Sequence, residues 1–431
     1  MKVQRMNPST GYVRGDIDRM TQFPSSDSES IKEAKLPRRD WILLPLLGLL
    51  TICLMVVCTE AIGTRIYPRA GAPLLDCLVL NDPSTGIRGI PHSACWSRLI
   101  EGPLVESRFN GCGHREVIEC GTKPASAYRI VLPGSSVVFG LGVPRDKTFA
   151  ALLPGQLCSR SGRNVELYNA GMVTRGTASF ARQINQHFDR ILAAHPDMIL
   201  WIMTPLDVEA ESLPEPGVQP AVAEEESVSR KPASFFSRSW EFAKTSFRAK
   251  SIPAAIDAIS NQTRTVFLLR HLLYESQSLY VKSYLMSGDD AGFLRSEPNV
   301  EWQNRLQQFE SDVDGIEEQS AAAGIPFVAV LIPNRAQAAM ISMGEWPAGY
   351  DPYKLDKELR GIVTRHGGTY LDILQDYRDV PNPERGYFPV DGHPNADGHA
   401  MISRMLAKEL TSGVIPELRA DGRRAAVATS K

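Results

Sequence analysis

The chain has 431 residues with 47 basic and 49 acidic side chains, a formal net charge of −2, 43% hydrophobic and 22% charged residues. These proportions are ordinary for a soluble globular protein with room for one large domain or two small ones. They argue against a nucleic-acid partner, because phosphate binding needs a basic excess gathered on one face and none stands out.

Residues 1–40 are polar, rich in serine and charge, and are expected to be a disordered tail. An unbroken apolar run without charge follows from Trp41 to Cys58. At about 1.5 Å per residue it just crosses a hydrocarbon core about 30 Å thick, so residues 41–59 are expected to be a membrane anchor. Lys2, Arg5, Arg14, Arg19, Lys32, Lys35, Arg38 and Arg39 precede it and only Arg65 and Arg69 follow closely. That bias predicts a single-pass inner-membrane protein with its N-terminus in the cytoplasm and everything after Thr59 periplasmic or otherwise extracytoplasmic. The rival is a cleaved signal peptide, but the polar lead is too long for its basic region and no small-x-small cleavage site follows.

Residues 60–127 carry Pro, Gly and four cysteines with little periodicity, and are expected to be an irregular lead-in. Cys77, Cys95, Cys112 and Cys120 are an even number in an oxidising compartment and read as disulfides, with neighbours paired. Cys112-Gly113-His114 with Cys120 fits no zinc spacing well, so no metal site is expected, nor is any cofactor. Cys53 and Cys58 fall in the apolar run, and Cys158 is expected to be buried.

From Tyr128 the pattern sharpens. Arg129 to Leu132 is a short apolar strand closed by Pro133-Gly134, and Thr148 to Leu157 has helical spacing. Val165 to Tyr168 is a second strand, Ala178 to Ala194 a helix, and Asp197 to Met203 a fully apolar third strand. Pro326 to Ile332, after a helix through Ala321, is a fourth, and Thr369 to Ile373 a fifth. Continuous apolar strands separated by helices predict an α/β fold: a parallel sheet with helices on both faces, and ligands at the carboxyl ends of the strands.

The chemistry-bearing residues fall at those ends. Ser135 and Ser136 follow strand one, Gly171 follows strand two, and Thr204 to Asp207 follow strand three. Asp391 and His393 follow strand five. Three blocks in order, Gly134-Ser135-Ser136 with Gly140-Leu141-Gly142-Val143, Asn169-Ala170-Gly171, and Asp391-Gly392-His393-Pro394-Asn395, resemble those of the SGNH (GDSL-type) hydrolase family. The resemblance covers roughly residues 128–411. It implies a flavodoxin-like three-layer fold and an acyl-serine mechanism, with Ser136 as nucleophile, His393 as base and Asp391 orienting the imidazole. It also implies an oxyanion hole built from the N–H groups of Ser136 and Gly171.

The chain departs from that pattern in three places. Ser135 stands where the family usually has Asp, so two serines compete, and the following Gly140, Gly142 and Val143 favour Ser136. The asparagine that normally completes the oxyanion hole is replaced by Leu206, which cannot donate, leaving Thr204 or Asn169 to fill in. The acid and base are two residues apart rather than three, a spacing similar to that of periplasmic relatives that acetylate polysaccharides. His399 reads as a surface residue of a helix starting near Asn395, and Asp207 as a loop carboxylate.

Residues 208–323 form an insertion. Ser212 to Pro232 reads as a flexible loop. Phe235, Phe236, Trp240, Phe242 and Phe247, interleaved with basic residues, read as a lid or a membrane-surface segment, and Ala255 to Met286 as a long helix capping the site. Asn261-Gln262-Thr263 is a formal glycosylation sequon without weight in a helix. Residues 412–431 are expected to be a flexible tail.

Taken together, these features predict a membrane-anchored serine esterase acting on carbohydrate esters, chiefly O-acetyl groups of cell-envelope or exported polysaccharide. Left open are an O-acyltransferase of the same fold, a lipid esterase, and a non-catalytic glycan-binding scaffold working with envelope polysaccharide assembly proteins.

Overall fold

The computed structural model describes residues 39–68, 73–82, 86–121, 123–173, 179–209, 263–286 and 288–419. The expected N-terminal tail up to residue 38, the loop and aromatic stretch at 212–250, the sequon at Asn261 and the end of the chain from residue 420 lie outside them. Two compact units are distinguished, Met1–Met55 and Val56–Lys431.

Helix α1, Asp40–Ile66, contains the apolar run and continues past the expected end at Thr59. Among the described residues it is the one helix long and apolar enough to cross a membrane, and none of its most apolar stretch is buried. By length and composition it is a candidate span.

The lead-in, expected to be irregular, contains two small antiparallel pairs. β1 (Leu78–Asp82) pairs with β2 (Gly86–Gly89), and β3 (Ala94–Arg98) with β4 (Leu104–Arg108). Cys77 is joined to Cys95 and Cys112 to Cys120, the neighbour pairing expected. Short strands of this kind bury too little to stand alone, so cross-links that restrict the unfolded chain add a large share of their stability.

The central sheet has five strands, β5 (Tyr128–Gly134), β6 (Val165–Gly171), β7 (Met198–Met203), β8 (Phe327–Leu331) and β9 (Thr369–Leu371), all parallel. Its order, β6-β5-β7-β8-β9, is that of a flavodoxin-like doubly wound sheet. Every residue of β5, β7 and β8 is buried, so both faces of these strands are covered, which is why they read as unbroken apolar runs. Arg129 is the exception inside β5. Its guanidinium donates to Ala194 O at 2.7 Å and to Glu166 at 2.9 Å, so the buried charge is paired.

Several helices depart from their expected bounds. The stretch from Ala178 to Ala194 breaks at His187 into α4 (Phe180–Gln186) and α5 (Phe188–Leu192), and follows α2 (Ser136–Phe139) and α3 (Phe149–Ser161). After α6 (Pro205–Glu209), the described part of the expected long helix is two helices, α7 (Arg264–Tyr274) and α8 (Gln277–Leu285). Ser276 between them is extended (φ −85°, ψ 112°), and Leu269, Leu272, Leu273 and Leu279 are exposed rather than packed. Cys158 is exposed, not buried. Phe149, Leu153 and Leu157 hold the inner face of α3, and Cys158, about 100° further round the helix than Leu157, points away. The fold is completed by α9 (Val300–Ala322), α10 (Arg335–Met343), α11 (Lys354–Arg365) and α12 (Ala396–Leu410), the last packing on α3.

Replacing Cys77 and Cys95 together by serine is expected to lower the unfolding free energy by about 2–5 kcal/mol. Urea unfolding of the variant against the oxidised parent measures this, and an unchanged midpoint would contradict it.

Candidate active site

Strand β5 ends on Gly134, whose φ of 154° is open to glycine and strained for other residues. A Cβ there would lie 2.4 Å from Val138 Cγ2 and 2.8 Å from Ile202 O. The chain turns there at once into α2, which places Ser136 beyond the sheet's carboxyl edge. Gly171, at the end of β6, lets α2 settle against that strand, since a Cβ would come within 2.4 Å of Phe139 N and 2.7 Å of Val138 C. Arg115, from the lead-in and 2% exposed, fixes the far side of the turn by donating to Phe139 O at 2.8 Å, Gly140 O at 2.7 Å and Val143 O at 2.8 Å.

His393 arrives on a tight loop in which Phe388 N donates to His393 O at 2.8 Å, and α12 begins behind it with Asn395 as its N-cap. His393 Nε2 lies 2.7 Å from Ser136 Oγ, and His393 Nδ1 lies 2.7 Å from Asp391 Oδ1. Burial raises the Asp391 carboxyl, but the hydrogen bond and charge of His393 outweigh it and leave the group below its ordinary value. An ionised Asp391 keeps the ring hydrogen on Nδ1, so Nε2 accepts from the Ser136 hydroxyl. Of the two adjacent serines, Ser136 is thus the one in reach of His393. Ser135 is fully buried, and its hydroxyl has no hydrogen-bond partner among the described residues.

These residues line one cavity of about 730 Å³, a size that suits a small ligand. Its floor is formed by Ser135, Ser136 and Thr204 at the ends of β5 and β7, the place where the strand order reverses. Its walls include Tyr274, Tyr280, Tyr284 and Phe293 from the insertion, with Asn334 and Arg335 after β8.

The other expected oxyanion donors are engaged elsewhere. Gly171 N donates to Asn169 Oδ1 at 2.9 Å, and Asn169 Nδ2 donates to Val138 O at 2.8 Å. Asn169 therefore braces α2 against β6 and is not free to serve the cavity. Thr204 lines the cavity, but its N–H and its hydroxyl both lie 2.6 Å from Asp207 Oδ2. Asp207 is not the loop carboxylate expected: it sits in α6, fully buried, and burial raises its carboxyl to about 7 against the lowering pull of the two Thr204 bonds. Leu206 is exposed at the rim, at 44%. The Ser136 N–H is at the first position of α2, where no carbonyl of the helix precedes it.

His399 differs most from expectation. It is 1% exposed, stacks on Phe149 with ring centroids 5.3 Å apart and accepts from Phe149 N at 3.2 Å. Burial foremost, then the charges of Arg115 and His393, lowers it to about 3, so it is neutral. Arg115, Arg335 and Glu101 are not among the residues that the sequence singles out. Arg335 alone carried a signal, since Pro333-Asn334-Arg335 directly follows a strand end.

No protein-family model and no curated protein matches the chain. Among solved structures it is similar to the lipase/acylhydrolase from Enterococcus faecalis, at 13% identity and a TM-score of 0.31 over 65% of this chain and 94% of that chain. It is also similar to the lipase Lip_vut3 from a goat rumen metagenome, at 11% identity and a TM-score of 0.30 over 65% and 97%. Likeness this slight adds nothing to the side-chain geometry.

Two outcomes are expected. Gly171→Ala should lower stability by about 1–3 kcal/mol through overpacking against α2, measured by urea unfolding. Asp207 keeps a proton in the fold that the unfolded chain loses above pH ~4, so its stabilising contribution is full below that pH and fades as pH rises through about 7. The stability advantage of the parent over Asp207→Asn should therefore shrink between pH 5 and pH 8, followed by melting temperature. A pH-independent difference would contradict it.

Proposed function

We propose that this protein is a membrane-anchored, extracytoplasmic serine esterase of SGNH type that removes O-acyl groups, chiefly acetyl, from cell-envelope or exported polysaccharide. The observation that carries the reading is the pair of 2.7 Å contacts linking Ser136 Oγ to His393 and His393 to Asp391 at the cavity floor. The three sequence blocks that resemble the SGNH family support the type. Two disulfides and the basic bias before α1 support the placement outside the cytoplasm.

In this reading Ser136 Oγ attacks the ester carbonyl while His393 Nε2 takes its proton, and Asp391 steadies the imidazolium. The Ser136 N–H receives the developing oxyanion. Collapse of the tetrahedral species expels the alcohol, protonated by His393, and leaves an acyl-serine. Water activated by His393 then releases the acid. A sugar hydroxyl in place of that water would make the same site an O-acyltransferase. With Thr204 and Gly171 engaged elsewhere, the hole has fewer donors than the family pattern implies, and each missing donor costs about 10²–10³-fold in rate. Slow turnover is the expected signature. The aromatic wall of Tyr274, Tyr280 and Tyr284 suits stacking on a sugar ring.

A second reading, a lipid esterase, is favoured by the apolar rim, where Leu206 and Met286 are 44% and 75% exposed. Comparing turnover of acetyl and long-chain p-nitrophenyl esters separates the two, with acetyl preferred under the main proposal.

The nucleophile is tested with a fluorophosphonate on the full-length protein in detergent. The parent should be labelled at Ser136, and Ser136→Ala should lose labelling and at least about 10³-fold in esterase rate. Labelling that persists in Ser136→Ala would sink the assignment.

A further inference from the structure

Glu101 lies between β3 and β4, in the lead-in, yet its side chain is 2% exposed. Its carboxylate accepts from Val390 N at 3.1 and 3.0 Å, from Asp391 N at 3.0 Å and from His271 Nδ1 at 2.8 Å. The two peptide N–H groups belong to Asp391 itself and the residue before it. A buried carboxylate is tolerated only where such charge-assisted bonds replace water.

The same stretch is held from the other side. Arg335, 3% exposed, donates to Pro389 O at 2.6 Å, to Glu384 O at 3.2 Å and to Tyr274 O at 2.6 Å. An anion thus grips the N–H groups of residues 390 and 391 while a cation grips the carbonyl of Pro389. Both grips touch α7, through His271 and the Tyr274 carbonyl. His271 also lies 3.4 Å from Tyr67 OH, and Thr265 N donates to Glu60 at 3.0 Å, so α7 is seated on the end of α1. The hydrogen bond to Glu101 is the first cause that raises His271 above its ordinary value.

We propose that Glu101 is the positioning residue of the Ser136–His393–Asp391 site, setting the angle at which Asp391 meets His393 and, through His271, making that angle depend on the seating of α7. The proposal deepens the esterase reading and rests on it for its kinetic consequence.

The experiment compares Glu101→Gln with Glu101→Asp in the full-length protein. Gln keeps the reach and one acceptor for the loop but loses the charge. Asp keeps the charge but withdraws the acceptor by roughly 1.5 Å, one bond length. Glu101→Gln should retain at least about a third of kcat on p-nitrophenyl acetate. Glu101→Asp should lose about 10²-fold in kcat, with KM changed less than about twofold, because a misplacement near 1 Å costs about that much. His271→Ala should lower kcat in the parent and add nothing in the Glu101→Asp background. Independently of activity, the low-field proton resonance of His393 Nδ1–H should persist in Glu101→Gln and move or broaden in Glu101→Asp. If Glu101→Asp keeps the parent's kcat and resonance, or if Gln loses more than Asp, the proposal is overturned. Should the parent resist fluorophosphonate, the esterase reading falls while the resonance still decides the role of Glu101.

Discussion

Everything at this site depends on the parallel direction of the five strands. When neighbouring strands run the same way, each connection must cross back over a face of the sheet, and every carboxyl end emerges along one edge. Ser136 follows β5 and His393 comes 257 residues later, yet their side chains meet, because both leave from that edge. The order β6-β5-β7 then opens a crevice between β5 and β7, since the connections out of these strands diverge to opposite sides. Ser136 and Thr204 stand at its two lips.

What the sequence revealed follows from the range over which each feature is determined. The five strands were legible because burial on both faces writes itself locally, as runs such as Met198 to Met203. Ser136, His393 and Asp391 were legible because a tight turn and a short loop impose spacing on their neighbours. Whether a donor is free is not local. Gly171 stands where expected, but Asn169, two residues earlier, takes its N–H, and Thr204 loses its hydroxyl to an aspartate three residues on. His399 reads as exposed from its first-turn position, and only the approach of α3 from 250 residues away buries it against Phe149. Charges are harder still. Glu101 and Arg115 lie in a stretch without periodicity, and nothing near them announces that their partners are backbone groups distant in the chain.

The lead-in is therefore more than a tether. Loops at a sheet edge lack the repeating ladder that satisfies peptide groups inside strands and helices, so their N–H and C=O groups need partners from elsewhere. Arg115 supplies the carbonyl that ends α2 and two just beyond it with donors, and Glu101 supplies two N–H groups before His393 with an acceptor. Each side chain is a charge that would be costly to bury alone, and each is matched by dipoles of the opposite sense. The two halves of the candidate site are thus fastened to one stretch of chain, Glu101 to Arg115.

Chain order gives this fastening a direction in time. Glu101 is synthesised 289 residues before Val390, the first peptide group that it grips. The last strand of the sheet ends at Leu371, so a nascent chain can complete all five strands and still lack Asp391 and His393. The grip awaits its cargo. A chain cut before residue 391 would keep Ser136 at the sheet's edge and lose the imidazole and carboxylate that face it.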